Sequence, residues 1–95
     1  MTRVLLIKTS SLGDVVHCLP AVSDMARQVA DLSLDWVIEE SLAEIASLHP
    51  AVGRAVPVRL KRWRRRPFAV ETRREFSVFR RQIAGRYDRV IDAQG

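Results

Sequence analysis

The stretch Lys8-Thr9-Ser10-Ser11-Leu12-Gly13-Asp14 sets three hydroxyls, a glycine and a carboxylate between a short apolar run and a helical pattern. Backbone N–H groups at such a helix start, with hydroxyls beside them, form a cradle for an anion or a sugar. Asp14 has two compatible readings there. Ser11-Leu12-Gly13-Asp14 has capping-box spacing, in which the carboxylate reaches back to the helix start. A carboxylate at a strand–helix mouth can also act as a general base, taking a proton from an acceptor hydroxyl. The helix start favours the charged form and lowers its basicity, whereas burial or a neighbouring anion raises it. The stretch is not a dinucleotide fingerprint, because G-x-G-x-x-G is absent, nor a P-loop, because the Gly-Lys-Ser/Thr ending is missing.

A second chemical feature is Lys61-Arg62-Trp63-Arg64-Arg65-Arg66. It reads as a solvated basic loop, as a nucleic-acid contact with Trp63 for stacking, or as a contact with phosphorylated lipid or an anionic membrane, with Trp63 and Phe68 at the interface. The charge distribution favours an anionic partner for this half. Residues 1–58 carry four basic and seven acidic groups, net −3, while residues 59–95 carry twelve basic and four acidic, net +8. Glu39-Glu40 reads as a sugar contact or a solvated strand end. One cysteine, Cys18, excludes an internal disulfide, and with only His17 and His49 as histidines no clustered ligand set is expected to bind a metal.

Ninety-five residues allow one domain. Arg3 to Lys8 predicts a buried strand, and Val15, Leu19, Val22, Ala26 and Val29 predict one face of a helix, kinked or restarted at Pro20. Leu34 to Ile38 predicts a second strand. Ser41-Leu42-Ala43-Glu44 predicts a capped helix that ends before Pro50. Val56-Pro57-Val58 predicts a strand at a sheet edge or end, and Arg59 to Pro67 a basic connection. Thr72-Arg73-Arg74-Glu75 predicts a second capped helix with a Phe76, Phe79 and Ile83 stripe, stopped at Gly85, and Asp88 to Asp92 a fourth strand. The alternation β-α-β-α-β-α-β predicts an α/β fold: a Rossmann-like parallel sheet with helices on its faces. In such sheets ligands bind beyond the carboxyl ends of the strands, here Lys8–Asp14, Glu39-Glu40 and Gln94-Gly95. No apolar run approaches the ~18–20 residues of a membrane span, and no signal peptide is recognised, so a cytoplasmic location is expected.

Four ordered motifs, Lys8 to His17, Asp35 to Glu40, Arg62 to Arg65 and Val90 to Gly95, together resemble the ADP-heptose:lipopolysaccharide heptosyltransferases over essentially the whole chain. The Lys-Thr-Ser-Ser opening and Asp-Trp-Val-Ile-Glu-Glu look more like type I than type II. Arg65 stands where some relatives are expected to carry Lys, and Lys61 where Arg is expected. The resemblance implies a GT-B glycosyltransferase, two Rossmann-like domains facing across a cleft. It implies inverting transfer of L-glycero-D-manno-heptose from ADP-heptose to Kdo2-lipid A. Asp14 would be the general base, and Ser10, Ser11, Gly13, Lys61, Arg62, Arg64, Arg65, Gln94 and Gly95 would bind the acceptor, with no metal and no cofactor. Residues 1–95 would then be an incomplete N-terminal, acceptor-side domain, inactive alone and prone to self-association through open sheet edges. The C-terminal nucleotide-sugar domain would lie outside it. The expected location is the cytoplasmic face of the inner membrane, in peripheral contact with its anionic surface, with no nucleic-acid partner. The competing reading, a small basic α/β module for nucleic acid, explains the arginines but leaves the Ser-rich loop and Asp14 without a role.

Overall fold

The computed structural model describes residues 1–94. The chain runs β1 (Thr2–Ile7), α1 (Leu12–Gln28), β2 (Leu32–Glu39), a 3₁₀ turn (Glu40–Leu42), α2 (Ala43–Ser47), β3 (Val52–Val58), α3 (Leu60–Arg65), α4 (Val70–Ile83) and β4 (Arg89–Asp92). All strand pairs are parallel, in the order β3-β2-β1-β4, which is the expected α/β sheet.

Strand periodicity sorts the apolar residues onto two faces. Val4, Leu6, Leu34, Trp36 and Ile38 point to one side and pack with Val15 and Val22 of α1 and Ala46 of α2. Leu5, Val37, Val56 and Val58 point to the other, against Leu60, Trp63, Phe79 and Ile83 of α3 and α4. The central strands β1 and β2 are therefore covered on both sides, as parallel strands require. Pro57 lies in β3, an edge strand, where its missing N–H is tolerated. At the other edge β4 is bare: Val90 is 60% and Ile91 37% exposed.

Several local expectations are corrected. The buried stripe of α1 is Val15 and Val22 with Cys18, Leu19 and Met25 beside them, while Ala26 is exposed. α1 continues through Pro20 as one helix and does not restart there. Ser41 lies inside the 3₁₀ turn, and α2 starts at Ala43 with no side-chain cap. α4 starts two residues before Thr72, which is 5% exposed in its first turn, so Thr72-Glu75 does not cap it. The basic connection is helical over Leu60–Arg65. Gly85 ends α4 with φ +63°, the left-handed conformation that glycine adopts without a Cβ penalty. No helix among the described residues is long and apolar enough to cross a membrane.

Candidate functional site

In the order β3-β2-β1-β4 the direction of winding reverses between β1 and β4, and the crevice at their carboxyl ends is the position where open α/β sheets bind ligands. The loop after β1 carries Lys8 to Ser11 and leads into α1. The chain after β4 brings Ala93 and Gln94 beside it. Lys8 Nζ donates to the Ala93 carbonyl at 2.9 Å, and the Thr9 backbone N–H donates to Gln94 Oε1 at 2.9 Å. The Gln94 Nε2 group donates to Thr9 Oγ1 at 2.9 Å. Trp36, wholly buried, donates its indole N–H to the Lys8 carbonyl at 3.0 Å. The base of the loop is thus held from β2 and β4, while Ser10, Ser11, Gly13 and Asp14 are exposed beyond it.

Asp14 makes the local contact that its capping-box spacing allows. Its Oδ2 accepts from the Ser11 backbone N–H at 3.4 Å and from the Ser11 hydroxyl at 3.2 Å. Those two bonds, then the Lys8 charge, hold the carboxyl below the ordinary aspartate value, against a small opposing effect of desolvation. The side chain is still exposed. Around Gly13 there is open space where a Cβ would sit, so a ligand can approach its backbone. Gly95 lies outside the described residues.

Because every strand is parallel, α3 begins at the same end of the sheet as this loop, two strand spacings or about 10 Å along from β1. Its basic residues divide. Arg62 Nη2 pairs with Glu75 Oε1 of α4 at 2.7 Å. Lys61, Arg64 and Arg65 are exposed and make no ion pair among the described residues. Trp63 packs its ring against Phe76, edge on at 5.7 Å, and against Phe79 at 6.0 Å. It is therefore spent on packing and is not a free platform for stacking.

Glu39 and Glu40, left open by the sequence, serve α3. Glu39 Oε2 accepts from the Leu60 N–H at 3.4 Å, and Glu40 forms a two-pronged ion pair with Arg59, which also reaches Glu75 at 2.7 Å. The Arg59 hydrogen bond keeps the Glu40 carboxyl below its usual value. His49 ties α1 to the α2–β3 turn: its Nδ1 accepts from the Ala51 N–H at 3.0 Å, leaving Nε2 to donate to Ser23 Oγ at 2.7 Å. His17 is exposed, and Cys18 is half buried against the core. Among the described residues no group of three or more His, Cys, Asp or Glu could hold a metal ion. The sequence reading missed Thr9 and Arg59 as organising residues. Thr9 lay within the flagged loop, but its partner is 85 positions away.

No protein-family model matches the chain. It is 48% identical over 94 residues to lipopolysaccharide heptosyltransferase 1 of Salmonella typhimurium, 50% to that of Pseudomonas aeruginosa and 48% to that of Escherichia coli. Each alignment covers 98% of this chain, which spans only 26–30% of those relatives' lengths. Among solved structures it matches E. coli heptosyltransferase WaaC with ADP at a TM-score of 0.92 and 47% identity, over 98% of this chain and 29% of that one. WaaC with ADP-2-deoxy-2-fluoro heptose matches at a TM-score of 0.90, also at 47% identity, over 98% of this chain and 30% of that one. Over the roughly 30% of their length that it spans, the chain is homologous to the lipopolysaccharide heptosyltransferase 1 proteins, glycosyltransferases by name, and shares the backbone of WaaC.

Proposed function

We propose that the protein carrying this chain transfers L-glycero-D-manno-heptose from ADP-heptose to Kdo2-lipid A in inner-core lipopolysaccharide synthesis, with inversion, and that residues 1–95 supply the acceptor side of a GT-B enzyme. What carries this reading is the exposed Asp14 carboxylate at the switch point of a backbone shared with heptosyltransferases. The donor is held mainly by residues outside this chain, so the chain alone is inactive.

In the transfer an acceptor hydroxyl oxygen bonds to the anomeric carbon as the bond to ADP breaks; ADP leaves with the electron pair and the hydroxyl proton goes to Asp14. A carboxylate held at low basicity is a poor base for a free hydroxyl. It suffices for a late transfer, because the attacking oxygen becomes strongly acidic once it bonds to an oxocarbenium-like carbon. Ser10, Ser11 and the open backbone at Gly13 line the approach. Lys61, Arg64 and Arg65 supply cations for the acceptor's phosphates and carboxylates.

The same chemistry supports peripheral contact with the anionic cytoplasmic face of the inner membrane. Arg73 and Arg80, and Arg74 and Arg81, repeat at seven-residue spacing along α4, so each pair lies on one side of the helix, exposed and without ion pairs among the described residues. Phe68, 88% exposed, projects between α3 and α4. Nucleic acid is not part of this reading.

The test is heptose transfer by the protein carrying this chain and by its Asp14→Asn variant. A general base contributes about 10²–10⁴-fold, and a loss of that size with donor binding retained is expected. Transfer by Asp14→Asn at the parent rate would overturn the assignment.

A further inference from the structure

We propose that Gln94 and Thr9 form a clasp that positions the Asp14 loop, so that Gln94 serves the reaction by holding the loop and not by touching the acceptor. The inference rests on the role given to Asp14 above.

Thr9 is 4% exposed, the one buried residue between β1 and α1. All three of its polar groups are spent on neighbouring strands. Its carbonyl accepts from the Glu39 N–H at the end of β2, at 2.9 Å. Its N–H and hydroxyl both meet the Gln94 amide just beyond β4, at 2.9 Å each. Gln94 is itself anchored, its N–H donating to Asp92 Oδ1 at 3.0 Å, while the Ala93 N–H donates to the Ile7 carbonyl at 2.9 Å.

A primary amide is the group this junction requires. It presents one acceptor to the Thr9 N–H and one donor to the Thr9 oxygen from a single planar head. A carboxylate in its place has no N–H to give the Thr9 oxygen and can only accept from the Thr9 N–H and hydroxyl. Asparagine is shorter by a methylene. Beyond Thr9 the loop has no comparable anchor until Ser11 meets Asp14. The clasp is therefore the last fixed point upstream of the carboxylate, and it transmits the position of β4 to the start of α1.

The test uses the protein carrying this chain, with Gln94→Ala, Gln94→Asn, Thr9→Val, Thr9→Ser and the Gln94→Ala/Thr9→Val double variant. Misplacing a reacting group by about an ångström costs up to ~10²-fold, so Gln94→Ala should lower kcat by about 10–100-fold with the acceptor KM unchanged. Thr9→Ser should be near the parent, Gln94→Asn should not rescue, and the double variant should be no worse than Gln94→Ala, as members of one contact are non-additive. In ¹³C carboxyl titration, Gln94→Ala should move Asp14 up toward the ordinary aspartate range as Lys8 and Ser11 lose their fixed places. A raised acceptor KM at unchanged kcat, or an Asp14 titration indifferent to Gln94→Ala in the folded protein, would overturn the clasp. If Asp14→Asn keeps full transfer while Gln94→Ala still shifts the Asp14 titration, the base assignment fails and the clasp stands.

Discussion

The guanidinium of Arg62 sits 2.7 Å from Glu75 Oε1, and this pairing separates the arginine that holds α3 onto α4 from its neighbours that face solvent. Removing Arg62 should therefore act on stability. With both partners partly exposed, Arg62→Ala is expected to cost about 0.5–1 kcal/mol, read as a lower midpoint in urea. The Arg64→Ala/Arg65→Ala double variant should unfold like the parent but bind vesicles of phosphatidylglycerol and phosphatidylcholine more weakly, by about 1 kcal/mol per charge removed. Flotation assays measure this. Equal flotation of parent and double variant at low salt would refute a lipid-facing role for the two arginines, and the effect should fade as salt rises.

Asp14 gives a pH prediction with a definite sign. The Ser11 N–H, the Ser11 hydroxyl and the Lys8 charge lower its folded-state value below the unfolded one. The stabilisation from this carboxylate is thus complete above the ordinary aspartate value of 3.8 and is lost as pH falls through the lower folded value. The acid limb of the transfer rate should likewise lie below the ordinary carboxylate range. Ser11→Ala removes the hydroxyl bond but keeps the backbone one, so it should move that limb part of the way upward. A pH–rate profile of the two proteins checks it, and a limb that stays in place would separate the rate-determining carboxyl from Asp14.

The strands were legible because Val4 to Ile7 is a continuous apolar run and Leu34 to Ile38 alternates around Asp35, and the alternation of strands with helices predicts the parallel topology. The Ser11–Asp14 bond was legible too, since both partners sit three positions apart. α3 was not. Its six residues include four cations, and nothing in their own pattern marks a helix. It is held by Glu39 at its start, by Trp63 against Phe76 and Phe79, and by Arg62 on Glu75, all contacts from other elements. The Thr72–Glu75 pattern failed for the converse reason. Glu75 is drawn to Arg59 and Arg62, and Thr72 into the interior, so a local motif yielded to tertiary partners. Gln94 was singled out at a strand end, but its engagement with Thr9 is a long-range pairing that no spacing encodes.

Trp36 links the core to the site. It is wholly buried, and its indole N–H is the donor to the Lys8 carbonyl, next to Thr9. Trp36→Phe removes that donor and leaves unfilled volume, which together should cost about 2–4 kcal/mol. Urea unfolding should show the loss, and amide exchange at Thr9 and Ser10 should speed up beyond what global destabilisation explains. Unchanged protection at those amides would show that the indole contributes packing alone.

At the opposite end of the sheet, the Tyr87 hydroxyl donates to Asp35 Oδ2 at 2.6 Å, and Arg54 Nε reaches the same oxygen at 3.1 Å while its Nη2 donates to the Gln82 carbonyl. This cluster joins β2 and β3 to the turn before β4. Burial, and then the bond to Asp35, raise the Tyr87 phenol above its ordinary value of 10.0, with Arg54 opposing. A raised folded-state value means that the unfolded chain releases its proton first. The contribution to stability is therefore complete below 10.0 and declines as pH climbs through the folded value. Tyr87→Phe should cost about 1 kcal/mol at neutral pH, because Asp35 keeps Arg54 but loses the hydroxyl. The variant should also show a shallower alkaline loss of stability than the parent. Urea midpoints from neutral to strongly alkaline pH measure both effects, and parallel alkaline slopes in the two proteins would exclude Tyr87 as the titrating group.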